Sequence, residues 1–205
     1  VQVMSSISEE SLRKLYGDVS PVAKVKMRDH LDKNCIEFIN NSSFCMLATS
    51  DGEGLDVSPK GDPAGFIKVL DTKTLVIPDR PGNNRIDGLL NLLKHPHMGL
   101  LFLIPTVDET LRVNGSAEII STPEICAKYA LNGKAPKTVT KLIIHEVFMH
   151  CGKAPLRGGI WKPETWPTKR PVPNLYEIVK SQVQDCEVPS LTQDEIQRNY
   201  DKTLY

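Results

Sequence analysis

Residues 44–78 read FCMLATSDGEGLDVSPKGDPAGFIKVLDTKTLVIP. Four runs of extended-type sequence, 44–49, 55–58, 66–70 and 74–78, are separated by Asp51-Gly52-Glu53-Gly54, by Gly61 to Gly65 and by Asp71 to Lys73. Such short, turn-rich spacers suit antiparallel hairpins, whereas consecutive parallel strands need a long crossover, usually a helix. The same rhythm continues downstream. Residues 98–104 form an unbroken apolar run, 110–120 alternate Leu111, Val113, Gly115, Ala117 and Ile119 with polar neighbours, and 139–151 form another long extended stretch. About seven strands with few helices between them predict a mainly β protein with flanking helices (α+β), built on an antiparallel barrel.

Helical patterns lie on both flanks. Ser8-Glu9-Glu10 opens one with Leu12, Leu15 and Tyr16 on a single face and Gly17 behind it. Ser20-Pro21 starts a second, whose later half places Leu31, Cys35, Phe38 and Ile39 on one stripe, and both are expected to pack on the barrel. Between strands, Pro81-Gly82-Asn83-Asn84 leads into a helix with Asn84 as its expected N-cap and Ile86, Leu89, Leu90 and Leu93 as its buried stripe. Thr122-Pro123-Glu124 starts another, ended by Asn132-Gly133. Beyond Gly152 the chain turns Pro-rich, then helical over 175–183 and, behind the capping box Thr192-Gln193-Asp194-Glu195, over 196–204. The predicted organisation is one domain: N-terminal helices in 1–43, the barrel in 44–161 and a helical arm in 162–205.

The 205 residues carry 25 Lys+Arg against 25 Asp+Glu, so the formal net charge is zero. No general attraction to nucleic acid or to an anionic membrane follows from that balance, and any anionic ligand must be held by local charges. The first fifteen residues lack the apolar core of a secretory leader, and the longest apolar run is too short to span a bilayer. Cys35, Cys45, Cys126, Cys151 and Cys186 form neither paired spacings nor a metal ribbon, so a reducing cytoplasm is the expected location.

Several motifs fail on geometry. In His145-Glu146-Val147-Phe148-Met149-His150 the histidines are spaced i, i+5, about 140° apart on a helix and on opposite faces of a regular strand, which argues against a metal site. His95 and His97 flank Pro96 at a helix end, where a capping role suffices. No GxGxxG follows a strand, Gly133-Lys134 and Gly152-Lys153 lack the upstream glycine of a P-loop, and no GxSxG elbow is present.

A concentration of cations and glycines remains. Ser58-Pro59-Lys60-Gly61-Asp62 closes one strand, and Ile77-Pro78-Asp79-Arg80-Pro81-Gly82-Asn83-Asn84-Arg85 runs from another into a helix start. Lys60, Arg80 and Arg85 could neutralise a phosphate dianion, with the helix start adding main-chain donors. The competing reading pairs these cations with Asp62, Asp79 and Asp87 on the surface. A second cluster, His150-Cys151-Gly152-Lys153 with Arg157 and Trp161, offers a stacking surface and donors for a flat ligand, or a core tryptophan with snorkelling cations. Cys151 is expected to be a buried structural thiol, since it and His150 would face opposite ways on a strand.

The strand order, the Ser58 to Asp62 turn, the Ile77 to Arg85 segment and the strand Glu109-Thr110-Leu111-Arg112-Val113-Asn114-Gly115 resemble the pyridoxamine 5'-phosphate oxidase-like family of FMN-binding split β-barrels. The PDRPGNNR stretch at 78–85 and the HCxKAxxR segment at 150–157 are similar to a bacterial branch of it, and the likeness runs over about 38–161. The resemblance implies a homodimer with FMN at the subunit interface and an FMN-dependent oxidoreductase acting on an unknown small molecule, with NAD(P)H entering through the dimer cleft. Ser58 and Lys60 would approach the flavin or its phosphate, Pro78, Asp79 and Arg80 would line the next strand, and Asn83, Asn84 and Arg85 would hold phosphate and ribityl. His150, Lys153, Arg157 and Trp161 would come from the partner chain or from the segment closing the ring pocket. The chain lacks a counterpart of the C-terminal substrate-phosphate motif of true pyridoxamine phosphate oxidases, so B6 oxidation is not inherited with the fold. The competing expectations are a non-catalytic flavin carrier or redox sensor, and a haem-binding split barrel using His95, His97, His145 or His150.

Overall fold

The computed structural model describes residues 7–183 and 187–205; the readings made for Cys186 and for the first six residues fall outside them. Seven strands form one sheet: β1 (Phe44–Ser50), β2 (Leu55–Gly61), β3 (Lys68–Asp71), β4 (Thr74–Pro78), β5 (His97–Leu103), β6 (Thr110–Ile120) and β7 (Val139–His150). Their order is β2-β1-β5-β6-β7-β4-β3, and every pairing is antiparallel. The two edge strands are consecutive in sequence and joined only by residues 62–67, whose Phe66 and Ile67 are buried. So short a tether holds the two edges of the sheet near one another, giving a split barrel.

One core fills the interior, with Cys45 and Leu47 of β1, Leu100 and Phe102 of β5, Leu111 and Val113 of β6, and Leu142, Ile144 and Val147 of β7. The spacing from Ile144 to Val147 breaks strict alternation, because the β6–β7 register shifts between Asn114 and Gly115. Asn114 pairs with Glu146 and Gly115 with Ile144, so His145 is the extra residue of a bulge. Gly115 makes that bulge possible, since a Cβ there would lie 1.9 Å from the Ile143 carbonyl oxygen. The bulge also corrects the expectation that His145 and His150 face opposite ways: beyond it the parity reverses, and both lie on the face away from the core.

The helices are α1 (Glu9–Tyr16), α2 (Pro21–Val25), α3 (Lys33–Asn41), α4 (Asp87–Lys94), α5 (Pro123–Ala127), α6 (Lys153–Gly158), α7 (Leu175–Gln182) and α8 (Gln193–Thr203). The pattern read as one helix from Ser20 to Ile39 is broken. Arg28 instead makes a bridge with Val147 of β7, and α3 starts afresh behind Asp32, whose carboxylate accepts from the N–H groups of Asn34 and Cys35. α3 packs on the barrel through Cys35 and Ile39, whereas α1 and α2 bury no side chain. Among the described residues no helix is long and apolar enough to cross a membrane.

Gly115→Ala is expected to destabilise the protein by about 3 kcal/mol, since the new methyl group must displace a main-chain carbonyl inside a paired sheet. Chemical denaturation would show this as a lower midpoint at unchanged slope.

Candidate functional site

A cavity of about 190 Å³ opens in the split. The inward face of β2 contributes Asp56, Ser58 and Lys60, which alternate with exposed Leu55, Val57 and Pro59. The opposite wall is the end of β4. Strand β3 is short and begins pairing at Lys68 opposite Val76, so Ile77 and Pro78 run past it and, with Asp79, face β2 across the gap. Pro78 is tolerated there because a strand end needs no ladder N–H from it. Asn83, Arg85 and the start of α4 close the cavity, and α4 is tied down where the Asn91 side-chain amide donates to the Thr49 hydroxyl at 3.1 Å.

The entry into α4 departs from the expected cap. The N-cap position is Ile86, not Asn84, and no side chain caps the helix. Asn84 (φ +59°) and Ile86 (φ +51°) both adopt the left-handed region, which for a β-branched residue costs about 1–3 kcal/mol and marks a conformation held by its surroundings. Asn83 accepts the Arg85 main-chain N–H at 3.0 Å. Because the helix starts at Asp87, its inward stripe also differs from expectation: Leu92 is buried, whereas Ile86, Leu90 and Leu93 are exposed. The outcome is a helix start with uncapped N–H groups beside the cavity.

The three expected phosphate cations have separate fates. Arg80 does not line this cavity: its Nε donates to Asp62 at 2.6 Å and its Nη1 to the Tyr129 carbonyl at 3.1 Å, with the two paired side chains only 18% and 1% exposed. Arg85 reaches Asp87 at 2.8 Å in an exposed pair. Lys60 makes no side-chain hydrogen bond or ion pair among the described residues. Burial pushes the Asp79 carboxyl above its ordinary range, opposed first by the charge of Lys60 and then by Lys137 and Arg80. Ser58, Lys60, Pro78, Asp79, Asn83 and Arg85 are therefore brought together, while Arg80 and Asn84 flank the cavity without lining it. Asp56 was missed, although strand parity puts it on the same face as Ser58 and Lys60.

The second cluster stands apart from this cavity in its own chain. The Trp161 indole donates to the Val107 carbonyl at 2.9 Å, and Lys153 and Arg157 are exposed on α6. On the outer face of β7, His150 meets Phe148 edge-on with ring centroids 5.0 Å apart, and Arg112 lies over Phe148 while bonding Glu146 at 2.6 Å. Burial, then the charge of Arg112, lowers the His150 pKa, and its Nε2 has no hydrogen-bond partner among the described residues. Of the other histidines, His145 bonds Ser116 at 3.2 Å, and with His97 it borders an open groove on the outer face. Cys151 is exposed rather than buried, because it lies past the end of β7 where strand alternation no longer applies; the Lys153 main-chain N–H lowers its pKa. Cys45 is the inert core thiol, pushed up to about 12 by burial.

An antiparallel split barrel with a polar, donor-rich cavity between β2 and the end of β4, lined by Lys60 and Arg85 as well as Asp56, Asp79 and Asp87, defines the class. The chain belongs to the pyridoxamine 5'-phosphate oxidase family, whose model matches residues 31–151, more than half of the chain. Among solved structures it is similar to HupZ of Group A Streptococcus (24% identity over 58% of this chain and 93% of that one, TM-score 0.48). A candidate pyridoxamine 5'-phosphate oxidase of Lactobacillus delbrueckii is 20% identical over 59% of this chain and 95% of its own, with a TM-score of 0.48. An FMN-binding protein of Syntrophomonas wolfei is 12% identical over 69% of this chain and 96% of its own, with a TM-score of 0.44. No curated protein matches the chain.

Arg80 and Arg85 should separate cleanly by stability. Arg80→Ala leaves the Asp62 carboxylate without its cation in a buried place and is expected to cost about 3–5 kcal/mol, whereas Arg85→Ala removes an exposed pair worth about 1 kcal/mol or less. Urea denaturation of both variants compares them directly; equal losses would contradict the assignment of Arg80 to the frame and Arg85 to the cavity.

Proposed function

We propose that the protein binds FMN in the split of the barrel, with the phosphate at the start of α4, and serves as an FMN-dependent oxidoreductase for a small molecule. The observation that carries this reading is the uncapped start of α4 beside Lys60 and Arg85: main-chain donors, the helix dipole and two cations converge where no side chain among the described residues caps the helix. Arg85 would exchange its exposed contact with Asp87 for the phosphate. Asp79 suits the other part of the ligand, because a carboxyl group accepts from ribityl hydroxyls but repels a phosphate.

The cavity of about 190 Å³ lies below the roughly 300–1,000 Å³ of ordinary ligand sites, so one chain would hold phosphate and ribityl while the ring reaches beyond it. A second copy of the chain is the proposed cover. In support, edge strand β2 turns its polar residues to the cavity and leaves Leu55 and Val57 84% and 63% exposed on its other face. In such a dimer His150, Lys153, Arg157 and Trp161, which have no role in the cavity of their own chain, are available to a ring held at the interface. When bound, FMN supplies a reversible electron acceptor. The chain supplies anchoring, orientation and a cleft through which NAD(P)H and substrate approach.

The purified protein is expected to bind FMN, to run as a dimer in light scattering and to lose flavin absorbance on anaerobic addition of NADPH or NADH. Lys60→Ala and Arg85→Ala should each weaken FMN binding by about 1.5–3 kcal/mol, roughly ten- to 150-fold, with little change in folding stability. Failure to bind FMN, or unchanged affinity in both variants, would refute the proposal. Bound flavin that neither nicotinamide reduces would leave a carrier in place of an enzyme.

A further inference from the structure

The Asp62–Arg80 bridge has a third member that comes from the far end of the sequence. The carboxylate oxygen of Asp62 not taken by Arg80 accepts the Tyr205 hydroxyl at 2.5 Å, and the Tyr205 main-chain oxygen accepts from Lys134 Nζ at 2.5 Å. Tyr205 lies just beyond α8, an element outside the segment that matches the family model. The bridge itself spans the split: Asp62 follows β2 and Arg80 follows β4, strands that share no ladder. Both partners stand two residues or fewer from groups that line the cavity, Lys60 on one side and Pro78 and Asp79 on the other. A separate cavity of about 260 Å³, bordered by Asp62, Arg80 and Tyr129, also has Pro78 in its wall, so Pro78 borders both the bridge side and the proposed flavin side.

We propose that Tyr205 is a positioning residue for the cavity: its hydroxyl on Asp62 locks the bridge, making the α8 segment a strap that fixes the separation of the β2 and β4 ends. With the hydroxyl in place, both oxygens of a carboxylate only 1% exposed are satisfied by protein donors. Without it, one oxygen needs another donor, which means water beside the bridge or a shifted carboxylate, and either change is passed to Arg80 and Pro78. The beside-carboxylate position also holds the phenol in its neutral, donating form by raising its pKa. The Lys134 contact is to the main-chain oxygen of Tyr205 and does not involve the phenol, and within the arm the Asn174 amide donates to the Leu191 carbonyl at 3.1 Å, so removing the one hydroxyl leaves a second tie to the rest of the chain.

The test uses the full chain with Tyr205→Phe, which keeps the ring, and Tyr205→Ala, which does not. The effect on the site rests on the FMN reading above, but the strap is also read without flavin, by hydrogen–deuterium exchange of the flavin-free protein. Both variants should raise exchange about tenfold at the amides of Asp79 and Asp62, which donate to the Thr138 and Ser43 carbonyls and are remote in sequence from the mutation, and should weaken FMN binding about five- to tenfold in a fluorescence titration. A Tyr205→Phe protein that matches the wild type in exchange overturns the proposal, and so does increased exchange confined to 193–205. Increased exchange at Asp79 with unchanged FMN affinity overturns the positioning role. A wild type that binds no FMN removes the functional reading above, while the exchange data still decide whether the strap exists.

Discussion

The bridge between Asp62 and Arg80 is the constraint on which the site depends. A sheet whose edges are consecutive strands is held together there by a short tether and by side chains, since no ladder joins β2 to β4. Burying an ion pair is expensive unless its remaining lone pairs and donors are met. Here Arg80 also bonds the Tyr129 carbonyl, and the carboxylate takes donors on both oxygens. The pair therefore fixes where the split lies, and the cavity is the part of the split that the short strand β3 leaves uncovered.

Within that frame the charges divide their labour. Counting Lys60, Arg80 and Arg85 as one cradle treats three cations alike, yet one is spent on closing the barrel and two face the cavity. Zero net charge thus conceals a local arrangement in which structure and binding draw on different arginines five residues apart in sequence. The left-handed Ile86 belongs to the same division. A residue that cannot cap holds the start of α4 open, and the strain is tolerable because the Pro81 to Arg85 loop is fixed at both ends by β4 and α4.

The strands were legible in number and order because antiparallel hairpins write their pairing into local alternation and turn chemistry, as in 44–78, although β2 runs three residues past the expected 55–58 and β3 starts two residues after the expected 66. Six of the twelve expected site residues line the cavity for the same reason, since strand parity and chain proximity place them. What escaped had non-local or backbone causes. The start of α4 was misread because Asn84 is a good cap by composition, and nothing in composition marks Ile86 as left-handed. The bulge at His145 upset a parity argument, though Gly115 in the middle of a strand was a usable signal for it. The contact of Tyr205 with Asp62 joins residues 143 apart in sequence and leaves no periodic trace.

The position of the strap in the sequence orders events during synthesis. A chain made from its N-terminus completes β7 before α8 exists, and at about 5–20 residues per second the hydroxyl that covers Asp62 arrives seconds after the last strand. In that interval the barrel can close with the second carboxylate oxygen still hydrated and the split less tightly held. With the proposed strap, a molecule that enters the split in that interval meets β2 and β4 ends held by the Asp62–Arg80 bridge without the Tyr205 hydroxyl, so assembly with a ligand and later exchange of that ligand need not follow the same path.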